Sequence, residues 1–333
     1  MISIICPIYN EEHYIAQCIE SILSQDYPKE KMEVLIVDGM STDNTRFIVK
    51  SYTEKYPFII LIDNPEKIVP YAMNRGIQAS KGEIIIRLDA HAIYPKNYFS
   101  TLVENLKKLE ADNVGAICRT LPAKNTSKCK AIAAALSTSF GMGNSHFRIG
   151  AKEVMQVDTV PFGCYKKDVF DKIGLYDNEL IRNQDDELNA RLIKNGGKIY
   201  LIPNIIIDYF ARDNISKTAK MFYQYGLYKP LVNKKLGSPA TFRQFFPLFF
   251  VTGLIIGLPM CCLWPQLFTL YIGVICLYLF LACIFSLKSS LHFAQIMYQI
   301  VTYFTIHFSY GWGYLVGLYK ILFKKSFNVK VNR

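Results

Sequence analysis

Asp89 and His91 stand two residues apart at the end of an apolar run, Ile84-Ile85-Ile86-Arg87-Leu88. In an extended segment, residues i and i+2 point to the same side. A carboxylate and an imidazole would then face one ligand together, and an oxygen plus a nitrogen donor suits a divalent cation. The competing reading is a buried strand that ends in a polar turn. A second acidic group, Gln184-Asp185-Asp186-Glu187-Leu188, opens a helical pattern. One acid there would complement the helix dipole; three in a row exceed that need. Two further polar segments, Pro7-Ile8-Tyr9-Asn10-Glu11-Glu12 and Asp38-Gly39-Met40-Ser41-Thr42-Asp43-Asn44-Thr45, each follow a short apolar run.

The elements that would position these residues alternate. Residues 2–6, 33–37, 58–62 and 84–88 read as strands. Helical patterns occupy 12–24, the stretch from the Asp38–Thr45 loop to Lys55, and 71–79. Such alternation predicts a parallel, doubly wound α/β domain. Ligands bind outside the carboxyl ends of strands in these sheets. All three N-terminal polar segments lie at such ends. Further on, 98–110 reads as a helix, 114–119 as a strand and 122–150 as a flexible cover over a site. A short strand is expected at 157–162, a short helix at 168–173 and an edge strand at 198–203.

Charge divides the chain. Residues 1–213 hold 26 basic against 27 acidic groups, whereas 214–333 hold twelve Lys or Arg and no acid. The basic residues flank long apolar runs, so a lipid bilayer is the expected partner rather than nucleic acid. The runs 245–263 and 267–287 are each long enough to cross a bilayer, and 296–318 is a softer third segment. Residues 217–228 form a basic, aromatic amphipathic pattern suited to a membrane surface. Lys229, Lys234, Lys235 and Arg243 before the first run, and Lys288 after the second, place residues 1–243 in the cytoplasm. Lys320, Lys324, Lys325, Lys330 and Arg333 place the C-terminal end there too, which three full spans would not allow. The expected organisation is a catalytic domain over 1–213, a juxtamembrane segment over 214–243 and a membrane domain over 244–333. No basic leader precedes the first strand, so no signal peptide is expected. Nine cysteines without a C-x-x-C pair fit a reduced compartment.

Taken together, Pro7–Glu11, Asp38–Thr45, Asn74-Arg75-Gly76, Asp89-Ala90-His91 and Gln184–Leu188 resemble the motifs of the family 2 inverting glycosyltransferases of GT-A fold. The resemblance covers about residues 1–210. Arg87-Leu88-Asp89-Ala90-His91-Ala92 and Gln224-Tyr225-Gly226-Leu227-Tyr228-Lys229 look most like bacterial exopolysaccharide glucosyltransferases of the succinoglycan type.

The resemblance implies a nucleotide-diphosphate sugar donor, UDP-linked, and a polyprenyl-diphosphate-linked acceptor. Asp89 and His91 take the positions of the family's D-x-D motif, which holds Mn²⁺ or Mg²⁺ against the donor diphosphate. His91 replaces a carboxylate there, and imidazole favours Mn²⁺. Asp38 would contact the uracil or ribose; Ser41, Thr42 and Asp43 compete for the turn and cap bonds and so would free it. Tyr9 would stack on the base and Glu11 reach a ribose hydroxyl, with Pro7 and Asn10 in the same loop. Arg75 would lie near the diphosphate, or pair with Asp38 or Asp89. Arg87, costly to bury alone, is assigned a structural pairing role. Asp185 takes the position of the general base, with Asp186 beside it and Gln184 where the family has Glu. The Gln-x-x-Arg-Trp motif of processive members is missing, so transfer of a single sugar is expected. The rival readings are a polyprenyl-phosphate sugar synthase and a non-catalytic nucleotide-binding membrane scaffold.

Overall fold

The computed structural model describes residues 1–239 and 241–327. Lys330 and Arg333, used above to orient the chain, lie outside the described residues. The strands are β1 (Ile2–Ile8), β2 (Met32–Asp38), β3 (Ile59–Asp63), β4 (Ile84–Arg87), β5 (Ala92–Ile93), β6 (Asn113–Leu121), β7 (Met155–Gln156), β8 (Cys164–Lys166) and β9 (Ile199–Phe210). The helices among them are α1 (Ile15–Leu23), α2 (Thr45–Thr53), α3 (Val69–Ala79), α4 (Tyr98–Lys108), α5 (Ser127–Ala135), α6 (Ser139–Met142), α7 (His146–Ile149), α8 (Asp168–Ile173) and α9 (Gln184–Lys194). Then come α10 (Ile215–Leu236), α11 (Phe245–Leu263), α12 (Leu267–Ser289) and α13 (Phe293–Leu322).

One sheet runs in the order β3-β2-β1-β4-β8-β6-β9-β5, with β7 on β9. Its first four strands are parallel, as the alternation predicts. Every residue of β1 and β2 is buried, the result expected of continuous apolar strands covered on both faces. β1 extends through Pro7 and Ile8, two residues beyond expectation. Its pairing with β4 ends at Ile5↔Arg87, so the missing Pro7 N–H leaves no ladder bond unmade. α3 covers β1 closely because Gly76 has no side chain; a Cβ there would lie 2.5 Å from Ile5 Cγ2.

The winding reverses between β1 and β4: β2 and β3 lie on one side of β1, and β4 and the later strands on the other. Such a reversal opens a crevice at the carboxyl ends of the two strands. Glu11 follows one of these ends and Asp89 the other. Beyond β4 the sheet turns antiparallel. There the expectations failed in two places. Residues 157–162 form no strand; the pairing falls on β7 and β8 instead. The expected edge strand at 198–203 is a twelve-residue strand between β6 and β5. Pairing partners far away in sequence decide both.

The described residues divide into two compact units, 1–119 with 150–209, and 120–149 with 210–239 and 241–327. In the second, 122–150 is not a loose cover: Ile132 and Ala135 of α5, and Leu136 just after it, are buried in a core shared with Phe222, Tyr303 and Ile306. α10 is not a free amphipathic face either. Gln224, Gly226, Leu227, Tyr228 and Lys229 are buried. It packs on α13 through small residues: a Cβ on Gly226 would meet the Tyr310 carbonyl oxygen at 1.9 Å, and one on Gly313 the Tyr223 oxygen at 2.2 Å. Among the described residues, two helices are long and apolar enough to cross a membrane, 242–263 and 267–289, and both are largely exposed.

Candidate active site

The carboxyl ends of β1 and β2 are sewn together by reciprocal hydrogen bonds. The Asn10 amide donates to Ser41 Oγ (2.8 Å) and the Thr42 amide donates back to Asn10 Oδ1 (2.9 Å). The Glu11 amide donates to Thr45 Oγ1 (2.8 Å), and the Asn44 amide to Glu12 Oε2 (3.0 Å). Asn10 takes φ +54°, a left-handed conformation that asparagine tolerates. The polar residues of these two loops therefore build the rim of the crevice. Tyr9 is partly exposed and borders Gly39, where a Cβ would come within 3.2 Å of its ring. Pro7 is buried in β1.

Stitching of this kind carries Glu11 to Asp89 and His91. Donor atoms of the three all lie within 4.8 Å of one another. His91 Nδ1 is 2.8 Å from Asp89 Oδ1 and 3.6 Å from Glu11 Oε1. Convergence is not by strand alternation, since β4 ends at Arg87 and Asp89-Ala90-His91 forms a tight turn before β5. The Tyr94 hydroxyl braces that turn: it accepts from the Asp89 amide (2.7 Å) and donates to the Asp89 carbonyl (3.2 Å). Tyr14 and Tyr209 flank the imidazole at 6.5 and 6.1 Å. Burial alone would favour the neutral ring, but the Asp89 carboxylate, with Glu11, outweighs it and pushes His91 up to about 9. Two carboxylates and one imidazole, each able to offer one ligand atom, form a donor set that fits a hard or borderline divalent cation. Sequence reasoning assigned Glu11 to a ribose; the structure puts it with the metal-type ligands.

Asp38 is fully buried and already engaged. Its carboxylate accepts from the Ser41 amide (3.1 Å) and hydroxyl (2.5 Å) and pairs with Arg46 Nη1 (2.6 Å). Arg46 also holds Asp63 at 2.8 Å. Ser41, Thr42 and Asp43 thus do not free Asp38: Asp38 makes the turn bonds itself, and Arg46, which the sequence did not single out, neutralises it. Arg75 pairs with Glu66 (2.9 Å to both oxygens), not with Asp38 or Asp89. Its neighbour Asn74 is bonded to the backbone of Tyr176.

The acids opening α9 separate into distinct roles. Asp185 pairs with Arg87, the buried cation at the end of β4. This is the structural partner that Arg87 was expected to need. Burial raises the Asp185 carboxyl above the usual range, and the Arg87 charge opposes the rise. Asp186 is half-buried beside it. Glu187 pairs with Arg191 at 2.7 Å. Asp185 and the metal-type cluster are thereby linked through one strand, Arg87 and Asp89 being two residues apart. Arg46 and Tyr94 were missed, and no local pattern marks them: each acts on a residue that the fold brings to it.

Comparison with known proteins gives this geometry a family. The family model described as Glycosyl transferase family 2 matches residues 3–174. A relative from Methanococcus voltae, a dolichyl N-acetyl-α-D-glucosaminyl phosphate 3-β-D-2,3-diacetamido-2,3-dideoxy-β-D-glucuronosyltransferase, is 34% identical over 70% of this chain and 74% of its own. The succinoglycan biosynthesis protein ExoA of Rhizobium meliloti is 31% identical over 67% and 66%. Among solved structures, a mannosyltransferase from Pyrobaculum calidifontis in complex with GDP-Man and Mn²⁺ aligns with a TM-score of 0.64 at 16% identity, covering 96% of this chain and 87% of that one. The S. aureus TarS fragment in complex with UDP aligns at 0.51 and 18% identity, over 68% and 64%. The structural likenesses establish the GT-A fold; the sequence matches establish that this chain belongs to glycosyl transferase family 2 and is a glycosyltransferase.

Proposed function

We propose that the chain is a membrane-associated, divalent-metal-dependent, inverting glycosyltransferase. It moves one sugar from a UDP-sugar to a polyprenyl-diphosphate-linked saccharide on the cytoplasmic face. The observation that carries this reading is the Glu11–Asp89–His91 cluster at the fold's reversal point, with Asp185 tethered to the same strand through Arg87. Glu11, Asp89 and His91 would hold the ion, and Mn²⁺ or Mg²⁺ bound there would supply charge neutralisation for the departing diphosphate. Tyr9 stacks on the base, while Asp38 and Asn10 shape the loop beneath it. Asp185 takes the proton of the acceptor hydroxyl. The acceptor oxygen bonds to the anomeric carbon, the bond to the diphosphate oxygen breaks with its electron pair, and attack from the opposite face inverts the configuration.

The two exposed apolar helices support membrane association, and their Lys and Arg flanks support cytoplasmic placement of the catalytic domain. The dolichyl-phosphate-linked sugar on which the Methanococcus voltae relative acts supports a lipid-linked saccharide acceptor, and the succinoglycan relative supports a role in surface-glycan synthesis. The test supplies the detergent-purified protein with Mn²⁺, labelled UDP- and GDP-sugars and polyprenyl-diphosphate-linked saccharides. Label entering the lipid fraction from a UDP-sugar is expected. No incorporation from any donor by folded protein sinks the proposal, and transfer to bare polyprenyl monophosphate reassigns the chain to the polyprenyl-phosphate sugar synthases.

A further inference from the structure

Tyr176 lies in the 174–178 loop after α8, and that loop is held from two sides. Asn74 of α3 donates to the Tyr176 carbonyl (2.8 Å) and to Asn178 Oδ1 (3.0 Å), and accepts from the Tyr176 amide (2.9 Å). Arg191 of α9 donates to the carbonyls of Gly174 (3.1 Å) and Leu175 (2.8 Å), and also to that of Ile173. Asp185 lies in the first turn of α9, so loop and base are braced against the same helix.

The side chain so placed is only 3% exposed, with its ring stacked on Phe170. Its hydroxyl lies within interaction range of Asp185, Arg87 and Tyr165, yet makes no well-directed hydrogen bond. Arg87 Nε is buried in the same condition. Tyr165 already donates its own proton to Asn189 Oδ1 (3.1 Å). A buried hydroxyl without a partner costs about 1–3 kcal/mol, and phenylalanine would fill the same space without that cost. Stability therefore does not account for a tyrosine at this position. The two unsatisfied groups are complementary: Arg87 Nε–H can donate to the Tyr176 oxygen, whose own proton can then reach the Asp185 carboxylate.

We propose that Tyr176 is a positioning residue for Asp185, completing with Arg87 a two-point hold on the carboxylate that receives the acceptor's proton. The inference rests on Asp185 being the base. In Tyr176→Phe, kcat falls about tenfold, the worth of one hydrogen bond to a charged group. KM for donor and for acceptor stays within about twofold, and the melting temperature is unchanged or higher. The inference is overturned by an unchanged kcat, by a raised acceptor KM at constant kcat, or by a melting temperature that drops along with activity, the mark of a purely structural hydroxyl. Asp185→Asn, measured alongside, separates the two failures. An inactive Asp185→Asn with a fully active Tyr176→Phe overturns this inference alone. An active Asp185→Asn overturns the base assignment, and with it the role of Tyr176.

Discussion

Two clusters at neighbouring strand ends have nearly the same parts and opposite characters. At β2 and β3, Asp38 and Asp63 share the guanidinium of Arg46. At β1 and β4, Glu11 and Asp89 share the imidazole of His91. Each has two carboxylates and one cation. Arginine cannot release its proton, so the first cluster is a permanent structural clasp. The imidazole can, and doing so leaves two carboxylates and a nitrogen lone pair facing one point. Which cation balances a strand end separates a permanent brace from a cluster that could hold an ion.

The largest effect expected from this contrast is on activity more than on stability. Asp89→Ala lowers transfer by at least about a hundredfold, while circular dichroism stays near that of the native chain and the melting temperature falls less than on loss of the Arg46 clasp, because His91 keeps Glu11 and, unlike arginine, can shed its proton. A strongly lowered melting temperature would make this cluster structural like its neighbour. Asp185→Asn, which keeps the volume but cannot take a proton, lowers kcat by a comparable hundredfold or more. If it remains active, Asp186 is next in line.

The opposite pattern is expected at the clasp. Arg46→Met leaves the fully buried Asp38 without its cation and costs about 2–3 kcal/mol in denaturant unfolding, the lower end for a broken buried pair because Arg46 keeps some solvent contact. Activity per folded molecule should change much less than in Asp89→Ala. Equal losses in the two variants would erase the distinction.

The finest test is protonic. In the metal-free protein His91 titrates at about 9, so at pH 7 it carries a proton that a metal ligand must give up. Mn²⁺ binding at pH 7 should release close to one proton, read by calorimetry in buffers of different ionisation heat. Affinity should rise from pH 7 to about 9 and then level off. Proton-neutral, pH-independent binding would remove His91 from the ligand set.

Much of this was legible beforehand where function depends on short stretches. Strands β1, β2 and β4 are apolar runs that can only be buried, and each is followed by polar residues that can only be rim. Asp89 and Asp185 could be singled out as candidates because a carboxylate with an imidazole two residues on, and three acids at one helix start, exceed what a turn or a helix dipole needs. Charge segregation and the two long apolar runs are likewise properties of composition, and the helices follow from them directly.

What the sequence could not express is who neutralises whom. Arg46 takes Asp38, Glu66 takes Arg75, Arg87 takes Asp185, and Glu11 joins Asp89 and His91. These pairs are separated by as few as eight residues or nearly a hundred, and side chains meet only after strands are in register and helices are packed. The same holds for the buried α10 and for β9, whose partners lie far along the chain. Local pattern specifies which residues must be buried or exposed, because solvation acts on each one separately. Electrostatic pairing is a relation between distant residues, so tertiary structure alone decides which strand end clasps and which is left able to hold an ion.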